Sequence, residues 1–150
     1  IALGTDGIGG DMLTESQAAF FRAKEAGAPV SPSWPIERLA EGSRLVGRLF
    51  TEPLLGTIRP GAPADITVLD YPAPVPLHAA NLPGHWVFGL SVAQVRDVLV
   101  AGELVVADRR STRVDETKVA AESCVAVERL WARLAEIPEH DFTPEGGERR

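Results

Sequence analysis

Asp6 is the residue whose type and setting most favour chemistry in this chain. It lies in residues 3–12, LGTDGIGGDM, where Gly4 stands two positions before it and Gly7 follows it directly. A carboxylate can bind a divalent metal ion or move a proton to and from an activated water. Glycines allow a ligand to approach the backbone closely. Because Asp-Gly is also common turn chemistry, the stretch alone leaves open a catalytic carboxylate and a turn residue.

The remaining candidate residues form no recognisable site. The only histidines are His78, His85 and His140, and none forms a His-x-His pair or an i, i+4 pair of the kind that binds zinc on a helix. For His85, beside Trp86, we expect a packed or surface role. Cys124 has no disulfide partner and no identifiable base, so we expect it to pack on a helix face. The glycine-rich stretch lacks the Lys-Ser/Thr pair of a phosphate-binding loop.

A strand, a loop and a helix are predicted to position Asp6. Residues 1–4 form an apolar run that ends in glycine, which favours a buried strand of a parallel sheet. Apolar residues recur at helical spacing over 11–26, and Gly27 is suited to end that helix. Enzymes built on parallel sheets carry their working groups at the carboxyl ends of the strands. The pattern predicts this location for Asp6.

The elements that follow change from helix to strand. A second helix is predicted over residues 36–50, with interruptions at Gly42 and Gly47. Short β runs separated by turns then begin, and they predict strands over 66–69 and 86–88. A β-rich unit should therefore follow the helical one.

A hairpin and a final helix complete the predicted elements. The hairpin has strands over 98–100 and 104–106 around a turn that contains Gly102. Asp115 is a suitable N-cap for the helix. One face of that helix carries Val119, Ser123, Val127, Leu130, Trp131 and Leu134. A face of this kind is expected to dock on another surface.

Composition restricts the classes of partner. The chain has 150 residues, is 45% apolar and carries a formal charge of -6, which repels phosphate backbones and argues against nucleic acid. One cysteine suits a reducing compartment, so a cytoplasmic location is expected. No run approaches the roughly twenty apolar residues of a membrane helix. We therefore expect neither a nucleic-acid nor a membrane partner.

Two stretches in order resemble one family. Residues 3–12 and residues 54–71, LLGTIRPGAPADITVLDY, are similar to the carboxyl-terminal part of metal-dependent amidohydrolases. Within that superfamily the similarity is greatest to the branch that contains purine deaminases, triazine chlorohydrolases and related aminohydrolases. AGELVVADR at 101–109 and VERLWARL at 127–134 also fit this branch.

The resemblance implies an α/β fold in several parts. Residues 1–52 would form the last strand-helix unit of a TIM-like (β/α)8 barrel, and 53–110 the carboxyl-terminal part of a composite β-sandwich. Residues 111–137 would form a carboxyl-terminal helix and 138–150 a flexible tail. Residues 1–3 have the features of neither a secretion signal nor a natural start, so the chain is expected to be a fragment. The amino-terminal barrel portion would be its missing partner.

The resemblance also implies a role for Asp6. It corresponds to the last-strand aspartate that binds the metal ion and moves the proton of the attacking water, which cleaves a C–N or C–halogen bond. Deamination of a small heterocyclic amine is the expected reaction. Zinc is favoured over iron, and the metal should be absent or weakly bound in this fragment, because the family's histidines lie on earlier strands. A homodimer is one expected state.

A second interpretation, in which the chain is not part of an enzyme, remains open at this point. In it, the chain is a non-catalytic β-rich binding or assembly module, PGAPADITVLDY is scaffold, and Asp6 is a turn residue. The two interpretations differ in whether a longer polypeptide supplies a His-x-His strand and two later histidines.

Overall fold

The structure, a computed structural model, describes residues 1–7 and 9–137. The chain forms two units, Ile1–Thr112 and Arg113–Arg150. Four helices and four strands are described: α1 Met12–Glu25, α2 Ser33–Leu49, β1 Ile66–Leu69, α3 Leu82–Phe88, β2 Val95–Val100, β3 Glu103–Ala107, β4 Arg110–Ser111 and α4 Glu116–Ala135. A 3-10 turn, Val92–Gln94, precedes β2.

Helix α1 has the ends that its sequence predicts. Asp11 caps its first turn, and its last turn closes through a hydrogen bond from the Gly27 amide to the carbonyl of Lys24 and one from the Ala28 amide to the carbonyl of Ala23. Gly27 adopts φ +76°, the left-handed conformation that this closure requires. The helix predicted over 11–26 is therefore confirmed, with Asp11 just outside it.

Helix α2 begins earlier than predicted and continues without a break. It starts at Ser33, three residues before the predicted start, and runs through both glycines to Leu49. The interruptions predicted at Gly42 and Gly47 are wrong, since the helix continues through both. At Gly47 the absence of a side chain is required by a close contact. A β-carbon on Gly47 would lie 2.6 Å from the carbonyl oxygen of Glu52, where the chain folds back over the helix.

Residues 86–88 form part of helix α3, so the strand predicted there is wrong. The helix carries a proline in its first turn and ends at Gly89, whose amide donates to the carbonyl of His85. A short apolar run is compatible with either a strand or a buried helix turn. In the structure this run is a buried helix turn, and Val87 is the residue of α3 that is buried.

The strands form one antiparallel sheet in the order β1-β2-β3-β4. The strand predicted over 66–69 is confirmed as β1, which pairs Ile66 with Leu99. The hairpin is confirmed as β2 and β3, joined through Ala101 and Gly102, both at positive φ. Two positive φ values match the right-handed twist of a tight hairpin.

The core of the first unit lies among its helices. Phe20 and Val87 are its buried large apolar side chains, and Pro35 and Ser16 are fully buried as well. The ring of Phe20 packs edge-on against that of Phe88, with centroids 6.1 Å apart. Helices α1, α2 and α3 therefore share this core.

Residues 1–4 are irregular, so the strand predicted there is not formed. No described strand runs beside them to accept or donate the ladder hydrogen bonds that a strand needs. The segment lies near α2, since a β-carbon on Gly42 would be 3.7 Å from the β-carbon of Ala2.

Helix α4 is the described element of the second unit. Asp115 caps it by accepting a hydrogen bond from the Lys118 amide, as predicted. None of its residues is buried, and Trp131 is 65% exposed. Its predicted apolar face is thus present but uncovered among the described residues. The predicted tail at 138–150 lies outside them.

Candidate active-site segment

Asp6 lies in an exposed turn with Gly7. Its φ is +54°, a left-handed conformation in which aspartate and asparagine are far more common than other non-glycine residues. The space beside it is open, because β-carbons built on Gly4, Gly7, Gly9 and Gly10 would meet nothing within 4 Å. The carboxylate is therefore accessible, and the turn can tolerate this residue type.

Asp11 closes the segment by capping α1. One of its carboxylate oxygens accepts hydrogen bonds from the amides of Leu13 and Thr14, each at 3.0 Å, and the other accepts from the Thr14 hydroxyl at 2.6 Å. The bond from the Thr14 hydroxyl, followed by the backbone bonds, lowers the pKa of Asp11 below its ordinary value. Both oxygens of Asp11 are engaged in the cap, which leaves Asp6 as the available carboxylate of the segment.

Helix α1 is held to α3 by side-chain hydrogen bonds. The amide nitrogen of Gln17 donates to the carbonyls of Trp86 and Leu90 at 2.9 and 2.8 Å. The indole nitrogen of Trp86 donates to the hydroxyl of Ser16 at 2.9 Å. The helix that follows Asp6 is therefore fixed by residues about 70 positions away.

The described residues could supply one ligand of a metal centre, but not a complete set. Across residues 1–7 and 9–137, no three His, Cys, Asp or Glu side chains are grouped so that they could share an ion. A catalytic zinc ion takes three protein ligands. Asp6, an accessible carboxylate, is chemically suited to be one of them, and the other two would have to come from elsewhere.

A groove of about 670 Å³ lies beside the end of the second motif. At its wall the hydroxyl of Tyr71 lies 2.7 Å from Nδ1 of His85, within hydrogen-bond distance. The groove is lined by Ser31, Pro32, Ser33, Tyr71, Pro74, Ala80, Asn81, Pro83, Gly84, His85, Phe88 and Gly89. Tyr71 is a residue of this groove that the sequence patterns did not predict. Its position just after a predicted strand could have indicated it, because a partly buried tyrosine hydroxyl is expected to find a hydrogen-bond partner.

The other sequence candidates do not join Asp6. His85 is half-buried against Tyr71, while His78 is exposed, and His140 lies outside the described residues. Cys124 is exposed, so the prediction that it packs is wrong. The physical reason is that its helix, α4, buries none of its residues.

Comparison with known proteins gives the family. No family model matches the chain. It is 31% identical over 134 residues to a 5'-deoxyadenosine deaminase of Methanopyrus kandleri, a match that covers 87% of this chain and 31% of that protein. It is 30% identical over 139 residues to a 5-methylthioadenosine/S-adenosylhomocysteine deaminase of Pelotomaculum thermopropionicum, covering 89% of this chain and 32% of the relative.

The chain is a relative of the amidohydrolase-type deaminases. This confirms the family resemblance predicted from residues 3–12 and 54–71. The chain spans about a third of the length of these curated relatives.

A solved structure shows the same fold. An adenosine deaminase from Xanthomonas campestris with bound zinc matches with a TM-score of 0.65 and 21% identity, over 81% of this chain and 28% of that one. The shared fold is the small α/β arrangement of helices and a four-stranded antiparallel sheet. Within the described residues, no helix is both long and apolar enough to cross a membrane.

Proposed function

We propose that this chain is the carboxyl-terminal part of a metal-dependent hydrolase that deaminates a heterocyclic amine, and that Asp6 is its contribution to the active site. The observation that carries the proposal is the coincidence of two facts. The deaminase similarity extends over 87% of the chain, and Asp6 is an accessible carboxylate in an open turn on the amino-terminal side of α1.

The proposed architecture would give residues 1–4 the neighbouring strands that they lack among the described residues. Residues 1–52 would be the last strand-helix unit of a barrel, with residues 1–4 becoming a strand once neighbouring strands supply hydrogen-bond partners. Residues 53–110 would belong to a β-sandwich shared with the amino-terminal part. The remaining barrel is thus the proposed partner, in a cytoplasmic enzyme with a small-molecule substrate.

The proposed reaction is a hydrolytic deamination. The water oxygen bonds to the ring carbon that bears the amino group, the C–N bond breaks, and the nitrogen leaves as ammonia. Asp6 accepts a proton from the water and returns it to the leaving nitrogen. A divalent metal ion, zinc in preference to iron, would lower the pKa of water to about 7 when bound with additional ligands.

The names of the relatives favour a substrate class. Both are deaminases of adenosines altered at the 5' position, one of 5'-deoxyadenosine and one of 5-methylthioadenosine and S-adenosylhomocysteine. We propose a 6-aminopurine nucleoside as the substrate class. The amino group of such a purine is the leaving group that the reaction requires.

The test is Asp6→Asn in the full-length natural polypeptide, assayed by ammonia release from 5-methylthioadenosine. Asparagine tolerates the left-handed φ of this turn better than alanine does, so the variant removes the charge with little added strain. We expect kcat to fall by roughly 10²–10⁴-fold.

Asp108→Asn is the matched control, because Asp108 is also an exposed aspartate at positive φ, +46°, in a turn. Its activity should equal that of the wild type. Full activity of Asp6→Asn would remove Asp6 from the mechanism. If the full-length polypeptide lacks the His-x-His strand and releases no ammonia from any aminated heterocycle, the β-rich binding module becomes the better interpretation.

A further inference from the structure

We propose that Asp6 and Gly7 form a site of spontaneous covalent modification, at which Asp6 is converted to isoaspartate. The reaction itself needs only these two residues. Its consequence for activity rests on the proposed function, because it would displace the carboxylate assigned to the metal ion and the water. Asp6 and Gly7 are the one Asp-Gly pair in the sequence. Glycine obstructs this reaction least, since it has no β-carbon beside the attacking nitrogen.

The reaction releases one water, takes up another and needs no other reactant. The backbone nitrogen of Gly7 bonds to Cγ of Asp6, and the carboxyl hydroxyl leaves with the amide proton as water, which closes a succinimide ring. Water then adds to the ring and breaks the bond between the nitrogen and the former backbone carbonyl. The chain now continues through Cγ, so the backbone is longer by one methylene and the free carboxylate is attached directly to Cα.

The structure leaves both reacting groups of this pair free. Asp6 and Gly7 are exposed and lie in a turn. Among the described residues, no hydrogen-bond partner holds the Asp6 carboxylate or the Gly7 amide. A β-carbon on Gly7 would meet nothing within 4 Å, so no neighbouring group stands against the turn at that point. The carboxyl carbon and the amide nitrogen can therefore rotate toward each other.

Asp11, in the same glycine-rich stretch, shows what blocks the reaction. Both of its carboxylate oxygens accept hydrogen bonds from the first turn of α1. The amide that follows it, on Met12, donates to the carbonyl of Gly10 at 3.2 Å. The methionine side chain also stands beside that nitrogen. We therefore expect Asp11 to remain aspartate.

Asp108 shows that exposure alone is not sufficient. It is exposed and at positive φ, as Asp6 is. The amide that follows it, on Arg109, donates to the carbonyl of Arg96 at 2.8 Å and is therefore not free to attack. Asp6 differs from Asp108 in having a free amide and no side chain on the next residue.

The test follows isoaspartate in the full-length natural polypeptide, freed of metal with a chelator and incubated at neutral pH and physiological temperature. The tryptic peptide that ends at Arg22 contains both Asp6 and Asp11, so electron-transfer fragmentation compares the two in one peptide. We expect isoaspartate to accumulate at residue 6, through a succinimide lighter by one water, and not at residue 11. After zinc is restored, ammonia release from 5-methylthioadenosine should have fallen in proportion to the isoaspartate formed.

Gly7→Ala is the decisive variant, because the added methyl group obstructs the attacking nitrogen. The turn should tolerate it, since Gly7 is not in the left-handed region and its β-carbon would meet no neighbour. Gly10→Ala is the matched control. It places the same methyl group in the same loop, also with nothing within 4 Å, and leaves Asp6 and Gly7 intact. Isoaspartate should form several-fold more slowly in Gly7→Ala and at the wild-type rate in Gly10→Ala.

Absence of isoaspartate at residue 6, equal amounts at residues 6 and 11, or an unchanged rate in Gly7→Ala would overturn the proposal. Zinc supplies the separate test of the proposed function. If Asp6 is a ligand, the bound ion holds its carboxylate away from the Gly7 amide, and the zinc-loaded polypeptide should form isoaspartate more slowly. Equal rates with and without zinc would count against Asp6 as a ligand, while the modification itself would stand.

Discussion

The hydroxyl of Tyr71 lies 2.7 Å from Nδ1 of His85, and Gly89 is the residue that leaves room for it. A β-carbon on Gly89 would stand 2.3 Å from the Tyr71 oxygen, well inside contact distance. The absence of a side chain at Gly89 is therefore part of the geometry that joins the end of the second motif to α3.

Gly89→Ala should displace Tyr71 and destabilise the protein by about 1–3 kcal/mol, the usual cost of overpacking. Urea denaturation measures the effect. Gly84→Ala, within the helix that Gly89 follows, is the control, because its β-carbon would meet nothing within 4 Å. Adding Tyr71→Phe should recover part of the loss, since it removes the clashing oxygen. An equal loss in Gly84→Ala would show that the packing explanation is wrong.

The two glycines within α2 should respond in opposite directions. Gly42→Ala should be neutral or stabilising by up to about 1 kcal/mol, because alanine favours helix and its β-carbon would make ordinary contact with Ala2 at 3.7 Å. Gly47→Ala places the same group 2.6 Å from the backbone carbonyl of Glu52. We expect a net loss of about 1–2 kcal/mol there. Similar changes in melting temperature for the two variants would contradict this assignment.

The bond between Ser16 and Trp86 should be measurable as a coupling energy. Ser16→Ala leaves the indole donor without its acceptor, and Trp86→Phe removes that donor. A double-mutant cycle on the free energy of unfolding should give a coupling of about 0.5–1.5 kcal/mol. Strictly additive losses would mean that the hydrogen bond contributes nothing. Thr14→Ala combined with Trp86→Phe serves as the uncoupled pair.

The cap at Asp11 predicts a pH dependence with a definite sign. Hydrogen bonds from Thr14 and Leu13 lower the pKa of the folded-state carboxyl below its ordinary value of 3.8. A lowered folded-state pKa means that the stabilisation is fully present above pH 3.8 and is lost as the pH falls through the lowered value.

Asp11→Asn isolates this contribution, because asparagine also caps helices but does not titrate. The difference in melting temperature between wild type and Asp11→Asn should be constant from neutral pH down to about pH 4. Below that it should shift in favour of the variant. A difference that does not change with pH would show that the carboxylate charge has no part in the cap.

Local chemistry in the sequence determined the elements whose ends are set by neighbouring residues. Helix α1, its cap at Asp11 and its closure at Gly27 follow from hydrogen bonds within a few positions. The hairpin around Gly102 follows from the φ values that its turn requires. The family was likewise readable, because its motifs are contiguous stretches.

Only the tertiary structure decided the elements that depend on distant partners. Residues 86–88 are helical because Trp86 and its neighbours bond to α1, 69 to 73 positions away along the chain. Residues 1–4 are not a strand, since a strand is stabilised by hydrogen bonds to a neighbour and no described strand lies beside them. Sequence patterns record local preference and apolar spacing, whereas these choices depend on which surfaces meet after folding.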